Sequence, residues 1–189
     1  FWIKFNKQMK KWYGEDFFIL GEDLNGDPNI LKKFFNEGDF SSIFDFPVNF
    51  VLRDVLCEDK SFEFLASRFE DDNKYKDPYN MVSLLDNHDL PRFIDLCKNK
   101  LEKMNLGIAF IFLSRGIPSL YYGSEIPLHG IKEPENRSDM TFDISKMKFF
   151  EFIKRLISEK KSNQALKEGM QKILVANKDL YLFERISER

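Results

Sequence analysis

The 189 residues are enough for one domain with a packed core, and 29 Lys+Arg against 31 Asp+Glu leave a formal net charge of -2. That balance supplies no basic footprint for nucleic acid or for an anionic membrane surface. No apolar run is long enough to span a bilayer, and no signal peptide opens the chain. Phe1 is not a start methionine, so further chain is expected upstream and no compartment is assigned.

In chain order, Trp2, Phe5, Met9 and Trp12 recur at helical spacing across residues 1–13. The apolar run Phe17–Leu20 reads as a strand that stops at Gly21-Glu22. A turn-rich stretch, Asn25–Asn29, precedes a second strand candidate, Ile43–Phe46, ended by Pro47. Val48, Val51, Leu52, Val55 and Leu56 form a helix face, and a loop with one short helix covers about 59–77. Met81–Leu85 is a third strand, ending in Asp86-Asn87-His88-Asp89, and Leu101–Ser114 a long helix. Ile117–Tyr122 is a fourth strand, closed by Gly123-Ser124-Glu125, and a helix follows over Lys146–Lys161. Finally, Gln171–Ala176 and Leu180–Ile186 flank Asn177-Lys178-Asp179 and predict a β-hairpin. Short, wholly apolar strands alternating with helices predict an α/β layout of parallel strands buried on both faces, either a barrel or a doubly wound sheet. Cys57 and Cys97 fall on different predicted helices, show no metal-ligand spacing, and are read as buried small hydrophobes. The lysine-rich stretches 98–103 and 159–161 are read as solvated helix surface.

Function in parallel α/β folds gathers where strands end at their C-terminal edge. Glu22, Asp89 (with Asp86) and Glu125 all follow predicted strands. Two carboxyl groups facing one cleft suit glycosidic cleavage, one protonated to donate to the leaving oxygen and one ionised beside the oxocarbenium-like centre. The apolar residues before Glu22 are expected to desolvate it, raising its pKa as an acid requires. His88 offers an imidazole donor for sugar hydroxyls, with a purely structural histidine as the other reading. No GxGxxG, P-loop, HExxH or GxSxG elbow is present, so no nucleotide or dinucleotide cofactor is expected.

Three segments together, Phe17–Glu22 (FFILGE), Val82–Asp89 (VSLLDNHD) and Gly116–Glu125 (GIPSLYYGSE), resemble landmarks of the α-amylase family, glycoside hydrolase family 13. The resemblance implies strands five to eight of a (β/α)8 TIM barrel over residues 1–163, followed by the first strands of an all-β C-terminal domain over 164–189. It also implies catalytic roles for Glu22 as general acid/base and Asp89 as the carboxylate that stabilises the transition state, with His88 binding the same sugar. The family's nucleophile, an aspartate ending the fourth strand, would lie before Phe1. Phe44–Asn49 (FDFPVN) with Arg53-Asp54 is similar to neopullulanase- and cyclomaltodextrinase-type members, as is Glu133–Arg137 (EPENR) with Asp139-Met140. Glu133 and Arg137 would then contact substrate, although Glu133 departs from the usual aspartate. The family's calcium belongs mainly to a region outside this chain, so no metal is expected.

The resemblance therefore implies a retaining α-glycoside hydrolase acting on α-glucans or maltooligosaccharides. A transglycosylase, an inert half-barrel remnant lacking the nucleophile, and a small-molecule-binding α/β domain unrelated to sugars are the other readings. Open sheet edges are expected on the first and fourth strands, to be covered by the N-terminal half of the barrel or by self-association.

Overall fold

A computed structural model describes residues 1–142 and 147–187. Helix α1 (Trp2–Tyr13) leads to strand β1 (Leu20–Gly21), helix α2 (Pro28–Glu37), strand β2 (Ser42–Ile43) and helix α3 (Phe46–Cys57). Helix α4 (Glu63–Glu70), strand β3 (Val82–Ser83), a short helix α5 (Phe93–Leu96), helix α6 (Leu101–Leu113) and strand β4 (Ile117–Pro118) follow. Helices α7 (Met147–Ser162) and α8 (Gln164–Glu168) precede the hairpin of β5 (Met170–Ala176) and β6 (Tyr181–Ile186). Lys146, the expected first residue of α7, lies outside the described residues.

The four short strands are parallel and in sequence order. Leu20 and Gly21 pair with Ser42 and Ile43, Phe44 bridges Val82, and Val82 and Ser83 pair with Ile117 and Pro118. Among the described residues β1 pairs only with β2, and β4 only with β3. The predicted apolar runs thus form a parallel array, but each regular ladder is two residues long. Side chains complete what the ladders leave open: Asn49, on α3, donates to both the Leu84 and Leu85 carbonyls at 2.9 Å.

The sequence carries a helix that the turn reading of residues 25–29 passes over. Asp27 accepts from the Asn29 N–H at 2.8 Å, and Pro28 supplies the preset φ of a first helical residue. Behind that cap, Leu31 and Phe35 bury completely beside Phe40, Ile43, Tyr75 and Met81. A second, larger core lies among α3, α5, α6 and α7, built from Leu52, Val55, Phe93, Ile108, Ile111 and Ile153. Tyr181 and Phe183 of the hairpin pack on this core against Phe110. Helix α1 is different: its expected apolar face is exposed, Trp2, Phe5 and Trp12 included, and only Asn6 is buried, donating to the Gly38 carbonyl at 2.8 Å.

Arg115, next to the start of β4, is 1% exposed and pairs with Asp45 at 2.7 Å and with Asp72 at 2.7 Å through Nε. Its own N–H donates to Gln171 of β5, which fixes the hairpin to the strand array. Lys160 corrects the reading of 159–161 as solvated surface. Its ammonium donates to the Ser114 and Gly116 carbonyls at 3.2 Å, and burial, assisted by Arg185, lowers it to about 8.

The cysteines also depart from expectation. Both are buried, as expected of small hydrophobes, but they form a Cys57–Cys97 disulfide between the end of α3 and the end of α5. The pair looked unrelated because the two cysteines fall on different predicted helices and neither sits in a paired motif. Restricting a loop with their sequence separation of 40 in the unfolded chain is worth about 4 kcal/mol. Urea unfolding should therefore show the Cys57→Ala/Cys97→Ala protein less stable than the oxidised wild type by roughly 2–4 kcal/mol. Equal midpoints for the two would contradict the cross-link.

Candidate active site

Glu22 follows β1 directly, and the DNHD segment leaves β3, so the two lie at the same end of parallel strands that flank β2. Asn87 connects them. It is 9% exposed, its Nδ2 donates to Glu22 Oε1 at 3.3 Å, and its Oδ1 accepts from the Asp89 N–H at 3.0 Å. One amide thus spans the ends of β1 and β3, using its donor for one expected catalytic carboxylate and its acceptor for the backbone of the other. Sequence reasoning passed over Asn87, although its place between two acids at a strand end was the available signal.

The four residues of DNHD divide sharply. Asp86 is 4% exposed, accepting from the Phe93 N–H at 2.8 Å and from Ser124 Oγ at 3.0 Å. It therefore joins the end of β3 to α5 and to the segment after β4. His88 and Asp89 are about half exposed, with His88 Nε2 3.4 Å from Asp89 Oδ2. The imidazole stands against the carboxylate next to it in sequence and stays open to solvent.

Arg137 reaches the same place from the loop after β4. Its Nη2 lies 3.1 Å from Asp89 Oδ1 and also pairs with Glu133, while Nε donates to the His88 carbonyl at 3.0 Å. The expected Glu133, Arg137, His88 and Asp89 therefore form one connected cluster, and Asn87 joins Glu22 to it. Glu125 contributes differently. It is partly buried, and its Oε2 has no hydrogen-bond partner among the described residues.

The environment of Glu22 differs from expectation. The residue is exposed, and so are Phe18 and Leu20 of the run that was to desolvate it. Beside it opens a cavity of about 390 Å³ lined by Trp2, Phe5, Leu20, Gly21, Asp23 and Phe40, among others. Glu22 thus lies at this partly aromatic cavity and is joined through Asn87 to the Arg137–Asp89 cluster. Among the described residues no group of three or more His, Cys, Asp or Glu is arranged to hold a metal ion, and no helix is long and apolar enough to cross a membrane.

Burial raises Asp86 above the usual carboxylate range, against the Phe93 and Ser124 hydrogen bonds and the nearby charge of Arg92. The native state consequently holds this proton to higher pH than the unfolded chain does. Its contribution to stability is greatest below the ordinary carboxylate value of about 3.9 and declines as pH rises from there through the raised native value. Asp86→Asn retains an acceptor for the Phe93 N–H and removes the titration. In urea unfolding, wild type should lose stability relative to this variant as pH rises from about 4 to about 7. A difference that stays flat over that range would contradict a buried, titrating Asp86.

Comparison with known proteins identifies the family. The family model described as "Alpha amylase, catalytic domain" matches residues 1–151. A cyclomaltodextrin glucanotransferase from Bacillus sp. (strain 1-1) is 32% identical, over 89% of this chain and 24% of its own length. A cyclomaltodextrinase from Thermoanaerobacter pseudethanolicus is 31% identical, over 98% of the chain and 32% of its own. The crystal structure of an Anoxybacillus α-amylase superposes with a TM-score of 0.92 at 30% identity, covering 100% of this chain and 42% of that one. The chain thus spans between about a quarter and two fifths of the length of these proteins. With its parallel strand order and its sequence both matched, the chain belongs to the α-amylase family and carries part of that family's catalytic TIM-barrel domain.

Proposed function

We propose that residues 1–163 are strands five to eight, with their helices, of a (β/α)8 catalytic barrel, and that 164–189 begin a C-terminal β domain. In this reading the chain supplies two of three catalytic carboxylates to a retaining enzyme acting on α-glucans or maltooligosaccharides. The observation that carries it is the Asn87 bridge, which ties Glu22 and Asp89 to one another across two parallel strand ends.

Glu22 is the general acid in the first step, giving its proton to the glycosidic oxygen as the bond to the anomeric carbon breaks. In the second step the same carboxylate takes a proton from the attacking water, or from a sugar hydroxyl in glycosyl transfer. Asp89, held beside Arg137 and His88, binds sugar hydroxyls whose interactions strengthen as positive charge develops on the ring. His88, Arg137 and Glu133 bind substrate around it. The nucleophilic aspartate belongs to a fourth strand that would pair with the open side of β1, and the isolated 189 residues are expected to be inactive. That same pairing would cover the exposed aromatic face of α1 and shield Glu22 from water.

The reading favours hydrolysis over transfer, and names resembling both are found among the relatives. The test is to assay the whole protein on maltooligosaccharides, wild type against Glu22→Gln. Loss of the general acid should lower turnover by about 100-fold or more. Activity retained within about tenfold would remove Glu22 from that role.

A further inference from the structure

We propose that Asn136 is the positioning residue for Asp89, holding the carbonyls of the residues before and after it. The inference rests on the reading of Asp89 as transition-state stabiliser. Asn136 lies in a 3-10 turn, Glu135–Arg137, on the loop after β4, and is 2% exposed. Its Nδ2 donates to the His88 carbonyl at 2.9 Å and to the Leu90 carbonyl at 3.1 Å. A primary amide carries two N–H donors on one nitrogen, and here they go to the carbonyls immediately before and after Asp89. The backbone of residue 89 is thereby held from both flanks by a side chain on another segment, and from within by its own N–H bond to Asn87 Oδ1.

The grip is itself braced. Arg92, 1% exposed, donates from Nε to the Asn136 carbonyl at 3.0 Å and from its backbone N–H to the Gly130 carbonyl at 2.8 Å. Its guanidinium lies 4.1 Å from the Tyr121 ring centroid, a stacked cation that cannot swing away without leaving the ring. Asp95 anchors the loop further along, accepting from the Gly130 N–H and facing His129 Nδ1, both at 2.6 Å. Gly130 allows the loop to fold back this closely. Its φ is +153, and a Cβ there would stand 2.4 Å from the Asn136 backbone nitrogen. Arg137, the next residue, then arrives at Asp89 already aimed, since its Nε shares the His88 carbonyl that Asn136 holds.

A purely structural asparagine would tie down the loop and nothing else. A positioning residue should loosen residues 88–90 selectively and weaken the chemical step more than substrate binding. The first arm uses this chain, measuring amide hydrogen exchange by NMR in wild type and Asn136→Ala. Exchange at Asp89 and Leu90 should accelerate by about tenfold, while Ile108 and Ile111 in α6 stay within about twofold. Unchanged exchange at 89 and 90, or equal acceleration in α6, overturns the proposal. If Asn136→Ala does not fold, Gly130→Ala replaces it, displacing the Asn136 backbone while leaving its amide intact, with the same expected pattern.

The second arm uses the whole protein on a maltooligosaccharide. Asn136→Ala should lower kcat by about tenfold or more with KM within about threefold, as for a misplaced transition-state contact. A raised KM with unchanged kcat overturns the proposal. A wild-type protein without activity on the glucan would instead defeat the functional reading, leaving the first arm to decide whether Asn136 sets the backbone at Asp89.

Discussion

A guanidinium with 1% of its surface exposed must be paired, and the pairing of Arg115 organises the rest of the molecule. Burial disfavours its charged form, yet Asp45 and Asp72 together overcome that cost and raise its pKa. Each partner belongs to a different part of the chain. Asp45 follows β2, caps α3 by accepting from the Val48 N–H, and donates its own N–H to the Val82 carbonyl. Asp72 precedes β3 and is itself raised by burial, against the pull of Arg115. Arg115 leads into β4 and receives the hairpin through Gln171. Removing one member would leave uncompensated charge in a dry interior, so the strands are held in relation to one another by a requirement of charge.

That requirement matters because the strands themselves are so short. Two-residue ladders specify direction and register but bury few apolar groups. The alignment of strand ends is instead completed by polar side chains reaching across: Asn49 to the carbonyls after β3, Asp86 to Ser124 and Phe93, Asn87 to Glu22. These contacts are directional, which apolar packing is not, and a site that needs two carboxylates at a set separation depends on them. The apolar cores lie around this polar frame and do not substitute for it.

Much of this could be read from the chain. Apolar runs gave four short strands in a parallel α/β layout, and a helical period gave α1, α3, α6 and α7. Acids at strand ends gave Glu22 and Asp89, and the family resemblance gave His88, Glu133 and Arg137, which meet in one connected cluster, whereas Glu125 stands apart from it. What was not legible depended on long-range contacts. Cys57 and Cys97 look unrelated until α3 and α5 are packed together. Lys160 looks like solvent-facing charge until α7 is laid against the segment before β4. Asp27-Pro28 was a local signal for α2, outweighed by a dense run of turn formers. The desolvation expected at Glu22 failed for another reason: apolar neighbours in sequence exclude water only if something packs over them, and Phe18 and Leu20 are exposed.

The DNHD segment shows how one strand end can be both frame and site. Alternation would suggest two inward and two outward residues, but the division follows what each side chain can satisfy. Asp86 and Asn87 bury because the surrounding backbone and side chains meet their hydrogen-bonding capacity, Asn87 having both a donor and an acceptor to spend. His88 and Asp89 remain half exposed, facing one another and the Arg137 guanidinium. Asn87 from within, and Asn136 and Arg137 through the His88 carbonyl, hold the backbone at Asp89, while Arg137 Nη2 and His88 Nε2 face its two carboxylate oxygens. These side-chain pairs are half exposed and therefore weak, so a sugar hydroxyl can exchange with them while the backbone at Asp89 stays in place.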